Sequence, residues 1–387
     1  WPQYFTKILT MIAAGTTPDV MDVATEGVQL FAGKGLSQPI DDYVKQDQAA
    51  IQEYFSDVHP VLVEAMMYQG HLYQLPHDWN SRYVYLNTKL FQDAKVAFPA
   101  SDWDKDAFYK TTQSLTKQGG GPPYGFGWEN RLMGGWLHWV VMNGSNLLSE
   151  DHWPGGDWLW NTFYKDDPTA KGHKGGWHWG EPTANAAANV EALDFLVQMA
   201  KENLTPAVQV GGGSLLEGFF TSNKLAMTPG GGFWAGGLHQ AGMKPDAFDI
   251  QVFPKWKTQR NVFGTAGLAL MQKAKDKDLA WEYMKYRIRK DVIGVILADN
   301  SSTPPRRSMM TAERYAPTGP KNWQEYYAAI EKFPSLPLPT PPWYQELNTI
   351  VTKYTSLIMT FSQSPKDGLE NMQKDLDAAY KTFQSGG

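Results

Sequence analysis

The residues best suited to bind a ligand are aromatic side chains set beside small and polar neighbours. The chain holds 16 Trp, 18 Tyr and 18 Phe. Several tryptophans adjoin Gly, Asn, Asp or His, as at 77–80 (His-Asp-Trp-Asn) and 231–234 (Gly-Gly-Phe-Trp). A flat ring packs on the C–H face of a sugar, while amides and carboxylates bind its hydroxyls. These segments therefore indicate a carbohydrate site, although most of the tryptophans are expected to be ordinary core and rim residues.

Charged and polar candidates follow predicted strands. Glu26, preceded by Thr25, comes directly after the strand predicted over 18–23. A carboxylate there could accept strong, charge-assisted hydrogen bonds from sugar hydroxyls. The structural alternative is an ordinary Glu in the first turn of a helix.

A second group lies after the short strand that ends at residue 76. Asp78 and Trp79 are the candidates there, and Arg82 lies close by. In the other half of the chain, Trp136 follows two glycines, and we take it from a further cluster of polar and aromatic residues at 128–138. These residue types suit a sugar site, but each tryptophan could equally be a core residue.

The chain carries no clear signal for a metal or a cofactor. His152, His173 and His178 occupy a loop rich in Gly and Trp that lacks acidic residues at metal-ligand spacing. The pattern Gly-x-Gly-x-x-Ala at 230–235 imitates a dinucleotide fingerprint, but the bulky Phe233-Trp234 pair inside it argues against a pyrophosphate site. We therefore expect neither a metal nor a cofactor.

Composition narrows the class of protein further. Net charge is −5, with 35 basic and 40 acidic residues spread along the chain, so no basic block points to nucleic acid. There is no cysteine, which rules out disulfides and thiolate chemistry. No apolar stretch approaches the roughly 20 residues that a membrane helix needs. At 387 residues the chain suits two lobes better than one core.

The predicted elements alternate between helix and strand, which is typical of α/β lobes. Helices are expected at 4–14, 51–68, 103–117 (capped by Ser101-Asp102), 132–142, 183–203, 214–221, 278–290, 343–361 and 365–384, and strands at 18–23, 83–87, 224–227, 248–253 and 264–271. The alternation of helices and strands continues in both halves of the chain, and no single linker divides it into two domains. The lobes are therefore expected to be joined by several crossings of the chain.

Six motifs, in order along nearly the whole chain, resemble family 1 extracellular solute-binding proteins, the class of the maltose-binding protein. No motif is specific alone, and the order carries the resemblance. They are KILTMIAAGTTPDV at 7–20, FAGKGL with PIDDY at 31–43, GHLYQLP at 70–76, YLNTKLF at 85–91, FTSNKLAM at 220–227 and STPPRR at 302–307. The chain departs from the family pattern at His71, Gln74 and Asn223.

The resemblance implies two doubly wound α/β lobes joined by three crossovers, with the ligand in the cleft between them. This agrees with ligand sites outside the carboxyl ends of strands and with hinge closure. The crossovers are expected near 82–87, 254–263 and 302–307. One lobe would comprise 1–84 and 262–303, the other 85–261 and 304–387. The family has an earlier strand, helix and strand ahead of the helix at 7–14. We expect these elements upstream of Trp1; the alternative is a first lobe that lacks a central strand, which would leave backbone edges uncovered.

The resemblance also implies further site residues. Trp234 stands where the family often places a cleft aromatic, and Gly232 would let backbone N–H groups approach a ligand. Trp343 corresponds to a second cleft aromatic. Arg307, at the third crossover, could hold hydroxyls or an acidic sugar. The alternatives are packing roles for both tryptophans and a hinge salt bridge for the arginine.

The resemblance implies a binding protein, not an enzyme. It would capture a sugar or small oligosaccharide by hinge closure and deliver it to the membrane permease of an ABC importer. We expect a monomer in the periplasm, or anchored outside the cell in a Gram-positive host, with no nucleic-acid partner. Alternatives are a polyol or glycerol phosphodiester as the solute, or a glycoside hydrolase that uses Glu26, Asp78 and Glu129 as carboxylates.

Overall fold

The computed structural model describes residues 2–386. The strands within this range are β1 Val20–Ala24, β2 Met67–Tyr68, β3 His71–Leu72, β4 Pro76–Ser81, β5 Tyr83–Asn87, β6 Tyr124–Phe126, β7 Leu148–His152, β8 Trp177–Pro182, β9 Leu225–Gly230, β10 Phe248–Gln251, β11 Asn261–Leu270 and β12 Ser335–Pro337.

The helices of the same range are α1 Pro2–Ala13, α2 Thr25–Gly33, α3 Asp41–Gln46, α4 Gln48–Asp57, α5 Pro60–Glu64, α6 Thr88–Ala94, α7 Lys105–Leu115, α8 Trp136–Met142, α9 Asp157–Phe163, α10 Ala187–Lys201, α11 Gly213–Thr221, α12 Phe233–Gln240, α13 Lys277–Arg287, α14 Lys290–Ile296, α15 Ala312–Tyr315, α16 Glu325–Lys332, α17 Tyr344–Met359 and α18 Pro365–Gln384. Short 3₁₀ turns occur at Leu132–Gly134, Pro168–Ala170 and Arg307–Met309.

The first sheet is organised around β11. β1 pairs antiparallel with its second half, β4 pairs antiparallel with its first half, and β12 runs parallel to its start. The residues of β11 are apolar or small, and nearly all are buried, as expected for a strand covered on both faces.

The second sheet has the order β10-β5-β9-β6. β5 pairs antiparallel with both β10 and β9, and β6 runs parallel to β9. Every residue of β5 is buried. Two tyrosines of this strand, Tyr83 and Tyr85, join Phe220, Trp234 and Phe248 in a hydrophobic cluster under the sheet.

The two sheets belong to two α/β lobes joined by chain crossings. The first crossing is a single residue, Arg82, because β4 lies in one sheet and β5 in the other. The second spans 252–260, between β10 and β11. In the third, Thr303 still bridges to Trp79 of the first sheet, whereas Tyr315 packs in the cluster of the second lobe.

The strand pairing departs from the predicted lobe boundaries at two places. Residues 83–84, which the sequence assigns to the first lobe, belong to β5 of the second sheet. β12 falls in the range 304–387, which the sequence assigns to the second lobe, yet it pairs with β11 of the first sheet. The chain therefore returns to the first lobe before α17 and α18. These two helices pack against each other, and α18 also packs on α10 of the second lobe.

Most predicted elements match the structure, and their ends have identifiable causes. α18 begins after Ser364, whose Oγ accepts a hydrogen bond from the Asp367 amide at 3.1 Å. α7 is capped not by Ser101-Asp102 but by Asp104, which accepts from the Ala107 amide at 2.8 Å. The helix predicted over 132–142 is divided by Gly135, whose φ of 119° cannot continue a helix.

Residues 148–182 form a long excursion between the lobes. At its base, β7 and β8 pair with each other, and β8 packs on α18 of the second lobe. Its far end lies on the first lobe, where Phe163 stacks on Phe55 with ring centres 4.1 Å apart. In addition, Gln29 donates to the Trp177 carbonyl at 2.8 Å. The sequence predicts only a loop here, and the hairpin is a correction.

Candidate functional site

A cavity of about 130 Å³ lies between the two sheets, beside the single-residue crossing at Arg82. Its walls come from both lobes. β1, α2, β4 and β11 contribute from the first lobe, and the turn before α8 and the start of α12 contribute from the second. The lining residues are Ala24, Glu26, Asp78, Asn80, Arg82, Arg131, Met133, Phe233, Gly264, Thr265, Ala266 and Leu338.

The alternation of β4 decides which of its side chains reach the cavity. Successive side chains of a strand point to opposite faces, so Asp78 and Asn80 face the cavity and Arg82 continues the same row. Trp79 points the other way. Its side chain is completely buried, and its indole N–H donates to the Pro304 carbonyl at 3.2 Å.

Arg82 is a buried polar group of the cavity that is held by contacts with Met133 and Phe233. Its side chain is 2% exposed. Its Nε donates to the Met133 carbonyl, and its guanidinium lies 5.2 Å from the centre of the Phe233 ring. Among residues 2–386 its Nη2 finds no hydrogen-bond partner. Burial, reinforced by the nearby Arg131, lowers the pKa of Arg82 to about 9.

Arg131 and Glu129 complete a charged group on the second-lobe side. The Nε of Arg131 donates to Glu129 Oε1 at 2.5 Å. The same oxygen lies 3.7 Å from Arg82 Nη2, too far for a hydrogen bond. One carboxylate thus serves two guanidinium groups. Leaving a buried donor without an acceptor costs about 1–3 kcal/mol, so this arrangement favours a ligand that supplies one.

The first-lobe side of the cavity is acidic. Glu26 stands at the start of α2, where the carboxyl end of β1 delivers it. Burial raises its pKa, and Arg131 and Arg82 act in the opposite direction. Burial raises the pKa of Asp78 to about 7, although a hydrogen bond from Ser302 opposes the change. An ionised carboxylate can accept a hydrogen bond from a hydroxyl group, and a protonated one can also donate a hydrogen bond to it.

Asn80 and Gly232 mark a close contact between the lobes. Asn80 donates to Ser302 Oγ at 2.7 Å. A side chain at Gly232 would place its Cβ 2.1 Å from Thr303 Oγ1 and 3.2 Å from Asn80 Oδ1. The position therefore accepts only glycine, and its role is to let the start of α12 approach the third crossing.

Five of the ten sequence-predicted residues lie at or beside the cavity. Glu26, Asp78 and Arg82 line it. Thr25 lies directly behind the wall, where its Oγ1 accepts from the amide of lining residue Thr265 at 3.2 Å. Gly232 is the fifth residue near the site, through Asn80.

The other five lie elsewhere. Trp79 and Trp136 are completely buried in the core. Trp234 is 8% exposed and packs on Tyr85 and Phe220. Trp343 packs near Tyr380. Arg307 donates to Glu331 at 3.1 Å and lies 3.6 Å from Asp167, which is the hinge salt bridge that the sequence left open.

Phe233, Arg131 and Met133 line the cavity but are missed by the sequence reasoning. Phe233 adjoins Trp234, and the resemblance implies that Trp234 is the ligand-facing ring of this segment. α12 begins at Phe233, which places the two rings on different faces of one helical turn. No local pattern marks Arg131 or Met133, because they belong to an irregular turn.

The described residues also form two larger depressions, of about 510 and 560 Å³. The first lies against the second crossing, because Arg260 and the segment that leads into β12 line it together with the excursion. The second is lined by residues of α4, α13 and α14 and by Arg306 of the third crossing. Within 2–386, no group of three His, Asp or Glu side chains is placed to hold a metal ion. Across the same residues, no helix has the length and apolar character required to span a bilayer.

Sequence comparison decides the family. Residues 1–292 match the family described as bacterial extracellular solute-binding protein. The chain belongs to this family. A Brucella abortus (strain 2308) relative, named as a binding protein without a stated solute, is 23% identical over 295 residues, which are 75% of this chain and 63% of the relative. The chain thus spans less than two thirds of that relative's length.

Structural comparison shows the fold of type II periplasmic binding proteins. An ABC substrate-binding protein from Listeria monocytogenes, in complex with cycloalternan, aligns with a TM-score of 0.77 at 19% identity over 99% of this chain and 89% of its own. A solute-binding protein from Thermotoga lettingae bound with α-D-tagatose gives 0.76 at 18% identity, over 97% and 89%. One from Agrobacterium radiobacter K84 in complex with ribitol gives 0.70 at 18%, over 98% and 89%.

Proposed function

We propose that this protein is the solute-binding component of a bacterial ABC importer and that it captures a sugar or polyol in the cavity at Arg82. The observation that carries the proposal is a polar cavity lined from both lobes and set against a one-residue crossing. Rotation of the lobes about such a crossing opens and closes the cavity around a solute.

The chemistry of the lining supports a hydroxyl-rich solute. Glu26 and Asp78 offer acceptors, Asn80 offers an amide, Arg82 offers donors, and Phe233 supplies a ring. Dense hydrogen bonding around one aromatic surface suits a sugar or polyol. Solute-binding proteins of the same fold are described in complex with cycloalternan, α-D-tagatose and ribitol, which supports the same solute class here.

The remaining steps follow from the family. After closure, the protein would present the solute to a membrane permease, working outside the cytoplasm. It would bind the solute without breaking bonds. The carboxyl groups of the cavity then serve as hydrogen-bonding partners of the solute, and a hydrolytic role for Glu26 or Asp78 is not part of the proposal.

Calorimetric titration tests this function. The purified protein is titrated with monosaccharides, di- and trisaccharides, polyols and a glycerol phosphodiester. We expect saturable one-site binding of a sugar or polyol, with at least a roughly tenfold loss in Asn80→Ala, because a hydrogen bond to a polar ligand is lost. Asn185→Ala, an exposed asparagine outside the cavity, is the matched control.

Two results would contradict the proposal. Binding of the phosphodiester alone would keep the fold and overturn the solute class. Turnover of an oligosaccharide, detected by chromatography and lost in Glu26→Gln, would replace a binding protein with a glycoside hydrolase.

A further inference from the structure

The excursion at residues 148–182 connects the two lobes in addition to the three crossings. Both of its ends are fixed to the second lobe. Asn189 of α10 is completely buried, and its Nδ2 donates to the carbonyls of Asn146 and Thr183, each at 2.9 Å. These carbonyls lie shortly before β7 and directly after β8. The excursion therefore leaves the second lobe and returns to it at one point.

The middle of the excursion is bound to several elements of the first lobe. Phe163 of α9 stacks on Phe55 of α4, with ring centres 4.1 Å apart. The next residue, Tyr164, donates from its hydroxyl to the Val58 carbonyl at 3.0 Å. Further hydrogen bonds to the first lobe join Trp158 to Asp41 at 3.1 Å, Gly175 to Gly70 at 2.9 Å, Trp177 to Gln29 at 2.8 Å and Lys174 to Glu64 at 2.8 Å. The attachment thus extends from α2 to the turn between β2 and β3.

The excursion is also ion-paired to two of the three crossings. Arg260 ends the second crossing, and its Nη2 lies 2.7 Å from Oε1 of Glu150 in β7. Arg307 belongs to the third crossing, and its Nη1 lies 3.6 Å from Oδ2 of Asp167. Rotation of the lobes changes the course of the crossings, so it acts on both of these pairs.

Internal contacts limit how far the excursion can stretch. Trp160 Nε1 donates to the Lys174 carbonyl at 3.0 Å, which ties α9 to the part of the chain that leads back to β8. A segment of fixed shape that is attached to both lobes cannot keep every contact when one lobe rotates against the other. All the contacts above are made in the arrangement in which both lobes line the cavity. They therefore stabilise that arrangement over a more open one.

We propose that residues 148–182 act as a strap that holds the two lobes in the arrangement described here. Without the strap, a more open arrangement would gain population in the solute-free protein, and the affinity for the solute would fall in proportion to the population lost by the arrangement that binds it. The effect on lobe position does not depend on a solute. The effect on affinity rests on the proposed function.

Distances between two spin labels test the position of the lobes. The chain has no cysteine, so Gln92→Cys and Leu279→Cys introduce the two labelling sites. Gln92 is exposed on α6, which packs on the second sheet, and Leu279 is 65% exposed on α13, which packs on β11 of the first. In this background Phe163→Ala removes the stack on Phe55. We expect a second population of label distances in the solute-free variant that is absent from the parent protein.

The affinity is measured in the same proteins by calorimetry, with D-tagatose, ribitol and maltose as probes. For a probe that binds the parent protein, Phe163→Ala should raise the Kd by about fivefold, because the energy of one aromatic pair is lost from the binding arrangement. Phe383→Ala, at an exposed phenylalanine near the end of α18, is the matched control. It should change neither the label distances nor the Kd.

The two measurements separate the strap from the proposed function. Label distances in Phe163→Ala that equal those of the parent protein overturn the strap, and so does tighter binding of a probe. A new distance population together with no binding of any probe keeps the strap and counts against the proposed function. Circular dichroism checks the fold. If Phe163→Ala does not fold, the double variant Gln29→Ala/Trp158→Phe, which removes two hydrogen bonds of the strap, must show the new distance population.

Discussion

Two charged clusters of this protein differ in how completely their hydrogen bonds are made. Glu64, at the end of α5, is fully buried. Its Oε1 accepts from His152 Nδ1 at 2.7 Å and from the Lys174 amide at 2.8 Å, and its Oε2 is bonded to His173 Nδ1. In the cavity, by contrast, Arg82 keeps a buried Nη2 without a partner.

The difference distinguishes a structural cluster from the proposed binding site. Burial acts to raise the pKa of Glu64, but the hydrogen bonds from His152 and His173 outweigh it and lower the pKa to about 2. At Asp78, burial wins and raises the pKa to about 7. The first carboxylate therefore stabilises the fold when ionised, and the second destabilises it. Groups that a fold leaves unsatisfied are candidates for ligand contact.

The largest expected effect comes from removing the satisfied carboxylate. Glu64→Ala should lower the free energy of unfolding by about 3–5 kcal/mol, because two imidazoles and a backbone amide lose their buried partner. Urea denaturation measures the change. Glu370→Ala, at an exposed position of α18, should alter stability by less than about 0.5 kcal/mol. A loss as small as that of the control would mean that the Glu64 cluster does not hold the excursion to the first lobe.

The stability of the protein should depend on pH through two groups of the same cluster, Glu64 at low pH and His152 near neutral pH. The pKa of Glu64 is lowered in the folded state to about 2, so its contribution is present above pH 4.5 and is lost as pH falls toward 2. Its size is about 3 kcal/mol. The hydrogen bond to Glu64 raises the pKa of His152, so that contribution is present below about pH 6.5 and is lost at higher pH.

Denaturation of the wild type and Glu64→Gln across pH 3 to 8 checks this expectation. The difference in their unfolding free energies should be greatest between about pH 4.5 and 6.5. A difference independent of pH would show that the paired charges contribute nothing, and that only packing distinguishes the two proteins.

An effect of the opposite sign is expected at Asp78. Asp78 has a raised pKa of about 7, so ionisation of its carboxyl group costs stability, and the cost grows as pH rises from about 4 to 7. Asp78→Asn should therefore raise the free energy of unfolding by about 4 kcal/mol at pH 8 and change it little at pH 4. Thermal unfolding at the two pH values measures this. Equal effects at both pH values would show that ionisation of Asp78 does not cost stability.

The sequence predicts the fold well because its helix and strand patterns are local. The helix at 365–384 and the strand at 83–87 were readable from periodicity and flanking residues. The hairpin of β7 and β8 was not, because its strands are separated by the whole of α9 and no tight turn joins them. β12 is not predicted from the sequence for a similar reason, because its partner strand β11 lies far back along the chain.

The site was predictable only where side-chain direction could be read. Strand alternation along β4 places Asp78 and Arg82 on one face and Trp79 on the other, a distinction that the candidates taken from the sequence do not make. The resemblance indicates Trp234 as a cleft ring, whereas the ring that lines the cavity in the structure is that of its neighbour Phe233. Arg131 reaches the cavity through the packing of an irregular turn on the opposite lobe, which no local pattern encodes.

The position of Arg82 has a mechanical consequence. It is the only residue between β4 and β5, which belong to different sheets, so it lies close to the axis about which the proposed rotation of the lobes would turn. Under the proposed function, a solute bound beside Arg82 would move little, while contacts further from the axis would move toward it. Binding at the crossing would then come first, and the outer walls of both lobes would close on the solute afterwards.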